Sequence, residues 1–151
     1  MNSVLKLDKN ISLSISVTTR PIRQEEEEGQ DYFFVNNETF DNMLKEGSFI
    51  EHASVFGHNY GTLKKLVKEK LYNGEDLLFD IDWQGAQQLR SRMREDVVSV
   101  FILPPNKEEL ENRLKKRGQD TDEVMTERMA SASEEITHWA EYDYVLVNKN
   151  L

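Results

Sequence analysis

The side chains best suited to chemistry lie in the stretch Ser14-Ile-Ser-Val-Thr-Thr-Arg-Pro-Ile-Arg23. Arg20 and Arg23 stand on either side of Pro21, which fixes the local backbone, so both guanidinium groups can converge on one oxyanion. Neighbouring serine and threonine hydroxyls add further donors. Because arginine forks match phosphate geometry, the stretch predicts a grip on a phosphate monoester. The alternative interpretation is two surface arginines that follow a strand.

Three carboxylates form a second candidate group. Asp80 and Asp82 end a predicted parallel strand, where α/β sheets face their ligand crevice. Being two residues apart, they point the same way, so one can support a metal-bound water and the other a ligand donor. The alternative interpretation is that Asp82 is a helix N-cap and Asp80 is a salt-bridge partner. Glu51 can accept from a purine ring nitrogen and its amino group, or be an ordinary surface glutamate.

Two further groups suit a phosphorylated ligand. Tyr60 precedes Gly61 in Tyr-Gly-Thr, so its hydroxyl can donate to a phosphate where the backbone approaches closely, or it can pack on a helix cap. Arg113, Arg117 and Arg128 flank a polar hinge and resemble a closing lid that stabilises charge on a transferring phosphoryl group. Plain helix-surface charge is the alternative for these arginines.

An α/β layout has to position these side chains. The pattern predicts a first strand over Ile11–Thr18, and Thr62 as the cap of a helix. The second half alternates helices with apolar strands, which indicates a parallel sheet buried on both faces. The strands are Leu77–Ile81, Val97–Leu103 and Tyr144–Val147, and the helices are 85–94, 106–117 and 121–139. Residues 18–75 form an insertion outside that sheet.

Composition narrows the class of protein. At 151 residues with 38% hydrophobic residues, the chain fits one soluble domain. The absence of cysteine excludes disulfides and thiolate metal sites, and no apolar run approaches a membrane span. The formal net charge of -9 argues against sequence-independent binding of nucleic acid. We therefore expect a cytoplasmic protein with small-molecule partners and neither nucleic acid nor membrane; the oligomeric state is left open.

Taken together, the chain resembles the guanylate kinase family from Ile11 to Asn148. The resemblance rests on several uncommon strings in the family's order. They are Ser-Val-Thr-Thr-Arg-Pro-Ile-Arg, Gly-Gln-Asp-Tyr-Phe-Phe-Val, Phe-Ile-Glu-His-Ala, Tyr-Gly-Thr, Asp-Ile-Asp-Trp-Gln-Gly, Ile-Leu-Pro-Pro and Glu-Tyr-Asp-Tyr-Val-Leu-Val-Asn. The resemblance implies transfer of the γ-phosphoryl group of ATP to GMP with Mg²⁺, giving ADP and GDP, in purine nucleotide metabolism.

The resemblance also implies a role for each site residue. The GMP phosphate is held by Arg20, Arg23, Tyr32 and Tyr60, guanine is read by Ser16, Glu51, Thr62 and Asp82, and Glu26 is a secondary contact. Asp80 supports Mg²⁺ through water rather than as a direct ligand. Arg117 and Arg128 are the lid arginines that act in catalysis, and Asn148 and Arg113 lie on the ATP side.

The implied fold is a three-layer P-loop nucleoside monophosphate kinase fold with a parallel sheet, an inserted small mixed β/α GMP-binding subdomain and a helical lid. Residues 1–17 and 76–151 form the core, with the lid at about 115–130, and residues 18–75 form the GMP-binding insertion. The family's Gly-x-x-Gly-x-Gly-Lys-Ser/Thr loop and C-terminal helix are missing from the 151 residues. We therefore expect this segment alone to be inactive.

Two rival functions remain. The first is a non-catalytic guanylate-kinase-like domain that binds GMP or a phosphorylated peptide; its scaffold form predicts loss of the guanine-reading residues, although Glu51, Asp82 and Thr62 are present. The second is a kinase for adenylate or uridylate. The presence of two carboxylates, Glu51 and Asp82, disfavours this second rival. Guanine offers N1–H and an amino group as donors, whereas adenine has an unprotonated N1 at that position.

Overall fold

A computed structural model describes residues 2–117 and 122–149. The chain divides into two compact units, residues 1–95 and 96–151. None of the helices in the described ranges is long and apolar enough to cross a membrane.

The first unit combines six strands with four helices among its described residues. The strands are β1 (Ile11–Leu13), β2 (Ser16–Thr18), β3 (Tyr32–Phe34), β4 (Phe49–Val55), β5 (His58–Leu63) and β6 (Asp76–Leu78), and the helices are α1 (Asn2–Leu7), α2 (Asn37–Lys45), α3 (Lys64–Tyr72) and α4 (Trp83–Arg92). A 3₁₀ turn, Arg94–Asp96, follows α4. β1 and β6 form a parallel pair that aligns Ile11 with Asp76.

A four-stranded mixed sheet organises the first unit, in the order β3-β2-β5-β4. β2 pairs parallel with β3 and antiparallel with β5, and β4 and β5 form a hairpin. Side chains alternate along each strand, so each of these strands presents one set of residues to the core and the other set to the opposite face.

The core face of this sheet packs against α2. Val17 from β2 and Phe49 from β4 are buried with Phe40 of α2, whose ring stacks on Phe49 at 4.6 Å. The helix is N-capped by Asn36, whose side chain accepts from the backbone N–H of Thr39. This packing fixes the orientation of the sheet's residues and leaves the opposite face to polar side chains.

A β-bulge in β4 lets one strand serve both faces. Phe49 pairs with Leu63, and Glu51, only two residues later, pairs with the adjacent Thr62. In a regular strand Phe49 and Glu51 would share a face; the extra residue, Ile50, rotates the strand so that they do not. Phe49 therefore joins the core while Glu51 faces the polar side.

The second unit is built on a parallel strand pair. Strands β7 (Val100–Leu103) and β8 (Tyr144–Val147) align Val100 with Tyr144, and helices α5 (Lys107–Arg117) and α6 (Asp122–Thr137) lie between them in the chain, followed by the 3₁₀ turn His138–Glu141. Asp143 fixes the strand register at their start, because its carboxylate accepts from both the N–H and the hydroxyl of Ser99, at 2.8 and 2.7 Å.

The structure corrects three expectations. The predicted strand Ile11–Thr18 is two strands that belong to different sheets. Thr62 does not cap a helix: it lies in β5, where its hydroxyl is turned toward Glu51, and α3 begins after Leu63. The strands β7 and β8 are parallel as predicted, but every residue of β8 is exposed rather than buried, because two strands alone present more apolar surface than they cover.

Candidate functional site

The polar face of the four-stranded sheet gathers the predicted acceptor residues. Strand alternation places Ser16 beside Tyr32 and Thr62, and two residues further along β2 it places Thr18 beside Tyr60. We divide the site on this face into a carboxylate end (Ser16, Glu51, Thr62 and Asp82) and an arginine end (Arg20, Arg23, Glu26, Tyr32 and Tyr60).

The carboxylate end is centred on a buried glutamate. Glu51 is 2% exposed, and its Oε1 accepts from the Thr62 hydroxyl at 2.5 Å. The same hydroxyl lies 3.2 Å from that of Ser16. Three strands thus supply one hydrogen-bonded row of side chains, in which the carboxylate has a fixed orientation.

Helix α4 closes the other side of this row. Its N-cap, Asp82, accepts from the Gly85 N–H at 3.0 Å and from the Gln84 side chain at 2.9 Å. Gly85 lies so close to Glu51 that a Cβ there would stand 2.5 Å from Glu51 Oε2. The N-cap interpretation of Asp82 is therefore confirmed, and the same contacts bring Asp82 to the carboxylate end.

Burial raises the pKa of Glu51, because a charged carboxylate loses its hydration there. The hydrogen bond from Thr62 opposes this rise, the negative charge of Asp82 adds to it, and Arg92 lowers the pKa slightly. A carboxylate that has lost its hydration is stabilised by a ligand that brings hydrogen-bond donors.

The arginine end is organised by a bidentate ion pair. Arg20 Nη2 and Nη1 lie 2.7 and 3.0 Å from the two carboxylate oxygens of Glu26, and both side chains are largely buried, at 11% and 15% exposure. Glu26 also accepts from the Arg23 N–H at 2.9 Å. The bond to Glu26 raises the pKa of Arg20, against burial, and the bond to Arg20 lowers that of Glu26.

Two tyrosines complete the arginine end. The Arg20 guanidinium lies over the Tyr32 ring, 5.4 Å from its centroid, and the rings of Tyr32 and Tyr60 meet edge to face at 6.0 Å. Burial raises the pKa of the Tyr32 phenol, and the charges of Tyr60 and Asp80 add to the effect. The Tyr32 phenol therefore stays protonated and can donate.

Arg23 and Asp80 lie at the margins of this face. The Arg23 side chain is 49% exposed, with its Nη1 4.0 Å from Glu26 Oε1. Asp80 is an exposed carboxylate after β6 whose charge reaches Tyr32. Within residues 2–117 and 122–149 there is no group of three histidine, cysteine or acidic residues placed to hold a metal.

The second unit contains a slot with an apolar lining and polar groups at its edge. Arg113 Nη2 donates to the backbone carbonyl of Asn148 at 3.0 Å, and its Nε is paired with Glu109 at 2.7 Å. The slot is lined by Ile102, Leu103, Pro104, Leu110, Arg113, Leu114, Lys116 and Asn148. The two residues predicted for the ATP side thus share one slot.

The lid arginines are only partly covered by the structure. Arg128 lies in α6 and is half-buried. The side chain of Arg117 and most of the polar hinge lie outside the described residues, so their predicted roles stay predictions.

Comparison with known proteins decides the family. A family model described as "Guanylate kinase" matches residues 2–151. The chain belongs to the guanylate kinase family. Its structure matches the crystal structure of guanylate kinase from Anaplasma phagocytophilum with a TM-score of 0.82 at 44% identity, over 97% of this chain and 71% of that one. The predicted α/β fold class is confirmed.

Curated guanylate kinases are similar over nearly the whole chain. That of Sphingopyxis alaskensis is 55% identical over 98% of this chain and 67% of its own length, and that of Nitrobacter winogradskyi is 52% identical over 95% and 65%. The chain therefore spans about two thirds of the length of these relatives.

Sequence reasoning missed the residues that hold α4 against the sheet. Gln88 bonds to the backbone of His52 in β4, and Arg92 donates to the carbonyl of Ile50. Their partners are main-chain atoms of a distant strand, which residue types do not encode. The N-cap of α4 was the one available signal that this helix begins at the site.

Proposed function

We propose that this chain carries the GMP-accepting site of a guanylate kinase, an enzyme that transfers the γ-phosphoryl group of ATP to GMP. The observation that carries the proposal is the carboxylate end, where Glu51 is bonded to the Thr62 hydroxyl and lies against the first turn of α4, which Asp82 caps. Guanine N1–H and its amino group are donors, so they complement two carboxylates, whereas adenine N1 has no proton.

The arginine end suits the phosphate of the same nucleotide. Arg20, Tyr32 and Tyr60 cluster on the face that carries the carboxylate end. A dianionic phosphate there would receive charge-assisted hydrogen bonds, which are about twice as strong as neutral ones. Arg23 can add a further donor from the margin. The base and the phosphate of one nucleotide would thus be held by neighbouring positions on one sheet.

The reaction follows from this orientation. An oxygen of the GMP phosphate attacks the γ-phosphorus of ATP as the bond to the β–γ bridging oxygen breaks, and ADP leaves with that electron pair. The protein's part is to position both nucleotides and neutralise charge, with Arg117 and Arg128 proposed for the second task. The apolar slot between Arg113 and Asn148 is proposed to receive the adenine side of ATP.

Mg²⁺ would neutralise charge on the phosphates of ATP during transfer. Asp80 fits an outer-sphere role, because it is an exposed single carboxylate whose field reaches Tyr32. Mg²⁺ commonly keeps several waters and is bound through one or two carboxylates together with substrate phosphates.

Titration calorimetry with GMP and AMP tests the proposal directly. We expect GMP to bind at least about 100-fold more tightly than AMP, because a site built to receive donors rejects an analogue that lacks them. Glu51→Gln should remove most of this preference. Since no glycine in these 151 residues is followed by lysine, we expect binding without turnover of ATP by this segment alone.

Two results would contradict the proposal. One is the absence of GMP binding by a sample whose circular dichroism shows a folded protein. The other is AMP binding as tight as GMP binding. Ordinary turnover in a coupled ADP-release assay would leave the acceptor site standing and refute only the expected inactivity of the segment.

A further inference from the structure

The outer edge of β4 is covered by side chains of α4 instead of by another strand. β4 is the last strand of the four-stranded sheet, so one edge of its backbone has no strand partner among residues 2–117 and 122–149. Gln88 accepts from the N–H of His52 at 3.1 Å and donates to the carbonyl of the same residue at 2.6 Å. Its side-chain amide therefore makes the two bonds that a neighbouring strand would make.

These contacts bracket Glu51. His52 follows it and is bonded to Gln88; Ile50 precedes it and accepts from the guanidinium of Arg92. The backbone on both sides of Glu51 is thus hydrogen-bonded to α4, through two side chains that lie four residues apart on that helix. Rotation of β4 that would move Glu51 requires these bonds to break.

The same helix carries the second carboxylate. Gln88 also donates to the carbonyl of Gln84 at 3.2 Å, and the Gln84 side chain donates to Asp82 at 2.9 Å. Gly85, on this first turn, touches the Glu51 carboxylate. Gln88 is therefore bonded to the backbone of the residue next to Glu51 and to the backbone of Gln84, whose side chain bonds Asp82.

We propose that Gln88 is the positioning residue that sets the placement of Glu51 relative to Asp82, and with it the selectivity for guanine. This inference rests on the proposed GMP site. The Gln88 amide fixes β4, and therefore Glu51, relative to α4. Both carboxylates are then placed to accept hydrogen bonds from two donors on the same edge of guanine. Loosening by about 1 Å at such a site is enough to cost a large factor in recognition.

The test is Gln88→Met, which keeps the length and the helix propensity of the side chain and removes both bonds to His52. Binding of GMP is compared with binding of IMP, which lacks the 2-amino group. We expect the ratio of GMP to IMP affinity to fall about tenfold, because GMP loses an aligned donor contact that IMP never makes.

Gln24→Met is the control. Gln24 is an exposed glutamine in the chain between β2 and β3, and because GMP and IMP carry the same phosphate, the same substitution there should leave the ratio unchanged. Thermal unfolding of both variants separates stability from selectivity, since a merely structural role for Gln88 would lower the melting temperature without moving the ratio.

The outcomes separate the two proposals. If the unmodified chain does not bind GMP, the proposed function fails. If it binds GMP with a preference over IMP and Gln88→Met keeps that preference, only the role of Gln88 is refuted. If Gln88→Met is too unstable to assay, Gln88→Lys replaces it, because its ammonium can still donate to the His52 carbonyl but cannot accept from the His52 N–H. An unchanged ratio of GMP to IMP affinity in Gln88→Lys would then refute the role of Gln88.

Discussion

The two ends of the polar sheet face are held together by different forces. At the carboxylate end, Glu51 is 2% exposed and is fixed by the Thr62 hydroxyl, which also contacts the Ser16 hydroxyl, and by the close approach of Gly85. At the arginine end, Arg20 is oriented by an ion pair with Glu26, and Arg23 is half-exposed. One end is defined by packing within a sheet, and the other by charges on the loop that leaves it.

This difference implies a division of labour. Rigid, dehydrated acceptors discriminate between bases, because a mismatched base leaves them unpaired at a cost of about 1–3 kcal/mol each. Cations attract a dianion whatever base it carries, and salt screens part of the effect of the exposed ones. We therefore expect the carboxylate end to set selectivity and the arginine end to set affinity.

The largest expected effect comes from Arg20→Met. It removes the buried guanidinium while keeping an apolar stem for packing on Tyr32. We expect GMP to bind about 100-fold more weakly, or about 2.7 kcal/mol, since hydrogen bonds to charged groups contribute about 1.5–3 kcal/mol each. Guanosine, which has no phosphate, should bind as before. Calorimetry with both ligands measures the two effects.

Lys68→Met is the control for Arg20→Met. Lys68 is an exposed residue of α3, so the substitution changes net charge equally and should leave both affinities unaltered. If Arg20→Met weakens the binding of guanosine as much as that of GMP, the two ends do not act separately and the proposed division between selectivity and affinity is wrong.

A pair of glycine substitutions gives the next effect. Gly85→Ala places a Cβ 2.5 Å from Glu51 Oε2, so the carboxylate has to move. Alanine also improves helix propensity by about 1 kcal/mol, so stability should hold while GMP affinity falls by about tenfold. The affinity of the arginine end, measured with ribose 5-phosphate, should not change.

Gly61→Ala makes the same chemical change on the opposite face. Its Cβ would stand 2.8 Å from Cδ1 of Phe49, a core residue. We expect a loss of stability of about 1–3 kcal/mol from overpacking, with unchanged GMP affinity of the folded protein. Urea unfolding and calorimetry on both variants check the pair. If both lose stability and neither loses affinity, Gly85 is a packing position only.

The residues singled out in the sequence lie together on one sheet face, whereas several of the elements that carry them differ from the predicted ones. Arg20, Glu51 and Asp82 could be picked out because their residue types, spacing and surrounding strings resemble one family. The strand over Ile11–Thr18 was continuous in its alternation, and nothing in the pattern marked the change from one sheet to another near Ser14. Tertiary pairing decided this break.

What the sequence could not show depends on backbone contacts between distant segments. The bulge at Ile50, which turns Glu51 to the polar face, has no Gly or Pro to mark it. Gln88 is one of three glutamines on α4, and only its position opposite the β4 edge distinguishes it. Threonine favours helix caps, which is why the sequence predicts a cap at Thr62, yet its hydroxyl binds Glu51 instead.

The smallest expected effect is a difference in the pH dependence of stability. Burial raises the pKa of Glu51 above its unfolded value of 4.5, with Thr62 and Arg92 opposing and Asp82 adding. Between the two values the folded protein holds a proton that the unfolded chain releases. Stability due to this group is therefore complete below pH 4.5 and is lost as the pH rises through the folded value.

The arginine end has the opposite sign. Arg20 lowers the pKa of Glu26, so the stability that this carboxylate contributes is present at neutral pH and is lost as the pH falls through its folded value. Urea unfolding across pH 3–8 should show that Glu51→Gln becomes more stable relative to the parent chain as the pH rises above 4.5. Glu26→Gln should become less stable relative to the parent as the pH rises toward 4.5 from below. Parallel curves for Glu51→Gln and the parent would mean that the glutamate is solvated in solution, and the contrast between a dehydrated and a charge-held end would fail.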